Sequence, residues 1–241
     1  MPSLAQPADV LPLGCNCQLG MALTRFGHHE SSLLRWADIP LPTLSTFLER
    51  GGERLFAGRL AFRFVGTALG TLDFDEMRRR LDAVPPGGRV NTIVHATRGE
   101  GYAHGVQLSL AEAAALSHDE IASANAEKMA HLEAKWRAAL KGAAPLAAIR
   151  LEWAPIGDAS PYLRLATALR RVNPGLTLHV VSPTGGLRAT GDGVRFATLR
   201  SALPPLSDVM NVNATQAEWS ALFTEWGVAP RGVAKPYIFD L

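Results

Sequence analysis

The chain has 241 residues, 47% of them apolar and 19% charged, with 24 lysines and arginines against 22 aspartates and glutamates. At this length roughly 70% of the unfolded surface can be buried without disulfides or metals, so no covalent staple is needed. A net charge of +2 is too small for the broad basic face that phosphate neutralisation requires, which argues against a nucleic-acid partner. Composition excludes collagen, coiled coil and disorder, and no apolar run approaches the ~18 residues of a membrane span.

Leu13-Gly14-Cys15 has the look of a lipoprotein signal. Residues 1–14, however, hold no Lys or Arg, carry Asp9, and are broken by Pro2, Pro7 and Pro12, so export is not expected. Cys15 and Cys17 are the only two cysteines, and with one residue between them they are poorly spaced for a mutual disulfide. A reducing cytoplasm is the expected location.

From Asp9 to Leu23 a short apolar strand meets a tight turn and then a helix, with Cys17 in the helix's first turn. Pro85-Pro86-Gly87-Gly88 separates an N-terminal segment, 1–84, from a more regular core over 89–241, both within one domain spanning 1–241. Residues 89–95 are β-branched and read as a buried strand. A long helix follows, with two candidate starts, Ser109 with Glu112 and Ser117 with Glu120, each a capping box. The later start suits the stripe of Ile121, Met129, Leu132, Trp136 and Leu140, which Gly142 and Pro145 terminate.

A second strand over 146–153 leads through Gly157-Asp158 to a helix with Ser160 as cap and Pro161 at its first position. Asn173-Pro174-Gly175 stops that helix, and a third apolar strand runs over 176–182. Strand, helix, strand, helix, strand over 89–182 implies parallel strands with right-handed crossovers. Residues 187–199 read as a hairpin turning at 190–193, and a last helix starts near Asn213. The expected fold is α/β, with a mostly parallel central sheet flanked by helices, a C-terminal β-hairpin and a helix.

A helix's first turn exposes amides and the positive end of the dipole, which favour a thiolate and an oxyanion beside it. Cys17 is therefore a candidate nucleophile, needing a base from among seven histidines. Both cysteines also fit as small apolar side chains buried at a strand–helix junction. No second Cys pair or finger-like His spacing supports a metal site, and no cofactor is expected.

Gly14-Cys15-Asn16-Cys17, the helix ending Leu23-Thr24-Arg25-Phe26-Gly27, and Ser31-Ser32-Leu33-Leu34-Arg35-Trp36 resemble the N-terminal signature of a bacterial family labelled papain-like cysteine peptidases, also a domain of unknown function. Its members read Leu-Gly-Ser-x-Cys, Leu-x-x-Leu-Gly and Ser-x-Pro-Phe-Asp-Trp, so Cys17 falls on the nucleophile. Weaker likeness extends to residue 182, with His95, the helix around Lys128 to Trp136, and Ile149-Arg150-Leu151 as counterparts of later motifs. Here Cys15 replaces Ser, Arg35 replaces Asp, and Ala96 follows His95 where the family has Asp.

The resemblance implies a thiol-dependent hydrolase or acyltransferase acting on a peptide or small molecule through a thioester. His95, at the end of its strand, ranks first as general base, ahead of His104 in a lid-like loop over 99–105 and His118 beside Asp119. Asp158 or Glu152 would orient it, and Asn16 and Gln18 are oxyanion donors or turn residues. His28, His29 and His131 read as surface residues and His179 as a core histidine. A rival reading is a non-catalytic module in which Arg35 and Trp36 hold an anionic sugar, nucleotide or protein ligand.

Overall fold

A computed structural model describes residues 9–14, 17–51, 55–56, 58–95, 102–142, 145–152, 154, 156–182, 193–199 and 213–233, with backbone alone for residues 17, 102–104 and 213–214. Strand β1 (Asp9–Pro12) pairs parallel with β5 (Leu146–Leu151), β5 with β6 (Leu176–Ser182), and β6 with β7 (Val194–Thr198). This four-stranded parallel sheet has the order β1-β5-β6-β7. Its central strands are mainly apolar, as burial on both faces demands, with Arg150 on β5 and His179 on β6 as buried exceptions.

One face of the sheet packs on helices α1 (Cys17–Arg25) and α7 (Asn213–Glu225) through Leu19, Leu23, Trp219 and Phe223, which join Ile149, Leu151 and Val181. The other face takes α2 (Leu41–Glu49), α5 (His118–Lys141) and α6 (Ser160–Val172), with Phe47, Trp136 and Leu165 against Leu11, Ala148 and Val180. The stripe that sequence periodicity assigns to α5 is buried as expected. Both candidate capping boxes are real: Ser109 with Glu112 opens a separate short helix, α4 (Leu110–Ala115), and Ser117 with Glu120 opens α5. Among the described residues no helix is long and apolar enough to cross a membrane.

The strand over 89–95 departs from the expected parallel alternation. As β3 (Arg89–His95) it pairs antiparallel with β2 (Leu60–Phe64) and β4 (Tyr102–Ser109), forming a second, three-stranded sheet whose inner face packs on α3 (Phe74–Arg80), α4 and α5. The reason lies in β4, which periodicity misses because a bulge opposite Thr92 breaks its alternation. A β-carbon on Gly105 would sit 2.1 Å from the Thr92 carbonyl oxygen and 2.2 Å from Asn125 Oδ1, so only glycine fits there. Asn125 from α5 fills the gap, accepting from the Val106 amide and the Thr92 hydroxyl. His104, expected in a lid-like loop, thus lies on β4 opposite Ile93, while residues 99–101 lie outside the described residues. Of the expected C-terminal hairpin, the second arm is β7, parallel to β6; residues 187–192 lie outside the described residues.

Candidate functional site

The turn between β1 and α1 opens at the carboxyl edge of the parallel sheet, where this class of fold presents its functional groups. The Leu13 amide still bonds the Ile149 carbonyl, and the chain then turns at Gly14, with φ at 80°. A β-carbon there would lie 2.8 Å from Ile39 Cγ2 and 3.0 Å from the Ala37 carbonyl oxygen. The expected effect of Gly14→Ala is a loss of about 3 kcal/mol in urea unfolding, the sum of a left-handed backbone penalty and a clash with backbone that cannot retreat. A loss under about 1 kcal/mol would show that the segment at Ala37 gives way.

α1 begins at Cys17; Cys15, Asn16 and the Cys17 side chain lie outside the described residues. Gln18 follows, buried, and its side-chain amide donates to the Thr215 hydroxyl at 3.4 Å. The first turns of α1 and α7 are thereby tied together at the sheet's carboxyl edge. Gln18 serves that tie.

A buried polar cluster lies under the turn. Arg150 on β5 has 2% exposure, and its Nη1 donates to the carbonyls of Leu13 at 3.3 Å and Ile39 at 3.1 Å. Its Nε donates to Glu152 in an ion pair that is itself mostly buried. Asp38 sits between the two residues that touch Gly14. Burial pushes its carboxyl above the usual range, with the Glu152 charge acting in the same sense and the Arg150 charge opposing both. Sequence reading singles out Glu152 and, through the resemblance, Arg150. It passes over Asp38, which carries no motif of its own beyond following Trp36 by two positions.

The other expected site residues make contacts of their own. His95 ends β3 in the antiparallel sheet, opposite Tyr102, with its amide bonded to the Arg59 carbonyl at 3.3 Å. Asp158, expected to orient His95, is exposed and accepts from the hydroxyl and amide of Ser160, which holds its carboxyl below the usual range; it lies two positions before α6. His118 is exposed, 3.3 Å from Asp119 and edge-on to Phe74. His28, expected at the surface, is buried, with Nε2 3.0 Å from the Ala229 carbonyl.

Arg35, expected to hold an anionic ligand, directs its guanidinium to acceptors within the protein. It is 4% exposed; Nη1 bonds the Glu30 carbonyl at 2.8 Å, and Nη2 reaches the carbonyls of Gly20 at 2.9 Å and His28 at 2.6 Å and the Thr24 hydroxyl at 2.6 Å. It closes the last turn of α1 against the segment that follows, with its charge at the helix's negative end. Trp36 packs beside it: a β-carbon on Gly20 would lie 2.6 Å from Trp36 Cζ3. The Cys-containing and Trp-containing motifs are therefore two halves of one packed unit. Among the described residues no group of three His, Cys, Asp or Glu is placed to hold a metal ion. Comparison with protein families, curated proteins and solved structures finds no match for this chain.

Proposed function

We propose that the chain is a cytoplasmic thiol-dependent hydrolase or acyltransferase with Cys17 as nucleophile, acting on a peptide or small acyl substrate. One observation carries this reading: α1 starts at Cys17 at the carboxyl edge of a parallel sheet, in a turn pinned by Gly14 over the Asp38, Arg150 and Glu152 cluster. The helix start favours the thiolate and supplies amides for an oxyanion. Asp38, whose carboxyl burial holds above its usual range and which lies between the two residues that crowd Gly14, is the base of this scheme, with His95 the alternative that the resemblance implies.

In this scheme Asp38 accepts the thiol proton and the sulfur attacks the acyl carbon. The bond to the leaving nitrogen or oxygen breaks as that atom takes the proton from Asp38. Water then attacks the thioester carbon, releasing the acid and restoring the thiol; an acceptor amine or alcohol in place of water gives transfer.

The test is the rate of iodoacetamide alkylation across pH in a Cys15→Ser chain, with Cys17→Ser as blank. The expected inflection lies below the ~8.5 of an ordinary thiol. Asp38→Asn should move it, and His95→Gln should not. An inflection at about 8.5, or alkylation only after unfolding, would remove Cys17 as the nucleophile.

A further inference from the structure

The second sheet has an open face that the reading above does not use. Register places Arg63, Asn91 and Gln107 in one row across β2, β3 and β4, with Arg89 and Ser109 in the next. Arg59 continues the same side of β2, beside His95. Arg59, Arg63, Arg89 and Gln107 are exposed, whereas the opposite face carries Phe62, Phe64, Val90 and Leu108 into the core. Ala61 and Ile93, also on the open side, are buried between Arg59 and Arg63.

These arginines differ from the run on α3. There Arg79 and Arg80 pair with Glu76, and Arg78 donates to the carbonyls of Ala114 and Leu116. Arg59, Arg63 and Arg89 make no ion pair or side-chain hydrogen bond with any described residue. Glu112, which feels the Arg89 charge, has its carboxylate committed to the amide and hydroxyl of Ser109.

Their spacing decides what they suit. Arg59 and Arg63 are about 13 Å apart along the strand, too far to share one anion, while Arg63 and Arg89 are diagonal neighbours about 7 Å apart. Such a line of charges matches a polyanion. All three are arginines, whose planar fork takes phosphate oxygens two at a time. Between them Asn91 and Gln107 offer both donors and acceptors, as unstacked base edges require and an acidic peptide does not. We propose that this open sheet face binds a single-stranded oligonucleotide through its phosphates. The net charge of +2 does not oppose this, because the three arginines are local to one face.

Fluorescence anisotropy with a labelled single-stranded 12-mer RNA tests it on the full chain. The expected result is a Kd of about 100 µM or tighter at 50 mM salt, with log K falling against log salt at a slope of about −2, for three phosphate contacts. Arg63→Gln with Arg89→Gln should weaken binding at least about tenfold and reduce the slope by about 1.4, while Arg79→Gln with Arg80→Gln changes neither. The exposed, unpaired positions make these variants safe for folding, which circular dichroism checks. The proposal is overturned by absence of binding at low salt, by equal loss in the α3 control, by tighter binding of polyglutamate than of RNA, or by micromolar competition from inorganic phosphate.

Discussion

Replacing Arg35 by Met is expected to cost about 3 to 5 kcal/mol in urea unfolding. Its guanidinium serves the carbonyls of Gly20, His28 and Glu30 and the Thr24 hydroxyl from a site with 4% exposure. Water cannot replace those donors without opening the segment. Removing a charged donor strands acceptors, each at about 1 to 3 kcal/mol, and methionine fills the volume but bonds none of them. Arg35→Lys should recover less than half, because one ammonium cannot span oxygens on both sides of the fork. A ligand-binding arginine behaves differently: its loss would leave unfolding within about 0.5 kcal/mol of the parent. A loss below about 1 kcal/mol would therefore return Arg35 to the ligand-holding role.

That result would also explain a departure from the family pattern. In the resemblance an acidic residue precedes the tryptophan, and here Arg35 does. Here that position is the clasp between α1 and the segment that follows it. Arg35 also lies over the Trp36 ring, 5.4 Å from its centroid, so the pair acts as one support for the helix that begins at Cys17.

Much of this was legible from residues alone because the deciding signals are local. Capping boxes at Ser109 and Ser117, the α5 stripe, Pro161 at the start of α6 and the mainly apolar run of β6 each act within a few positions. What was not legible is long-range. That β3 leaves the parallel sheet depends on Asn125 reaching Gly105 from a helix 20 positions further on, and on a bulge that hides β4. The same holds at the site. Glu152 reads as an ordinary strand end until Arg150 is seen to share its charge with two carbonyls 111 and 137 residues away in sequence. Asp38 owes its raised pKa first to burial, with the Glu152 charge acting in the same sense and the Arg150 charge against it.

His179 yields the steepest expected dependence on pH. It lies on β6, buried against Trp226 with ring centroids 4.3 Å apart, and its Nδ1 has no hydrogen-bond partner among the described residues. Burial, with the nearby Arg195 charge, pushes its pKa from 6.5 down to about 3. The unfolded chain therefore gains a proton on this ring below pH 6.5 while the folded chain refuses it until about pH 3. Stability contributed by the neutral ring is intact above 6.5 and falls with decreasing pH through the window between those values.

With a slope that approaches about 1.4 kcal/mol per pH unit below 6.5, the wild-type chain should lose about 2 kcal/mol between pH 6.5 and 4.5 from this residue alone. In His179→Phe the ring remains against Trp226 but cannot titrate, so the gap between the two proteins' urea-derived stabilities should close or reverse by that amount on acidification. His28, whose pKa burial also lowers, and Asp38, whose raised pKa acts in the opposite sense, are present in both proteins and cancel in the difference. A gap that stays constant from pH 7 to 4.5 would mean that the folded protein takes up the proton at His179, by opening the contact between β6 and Trp226 at the end of α7.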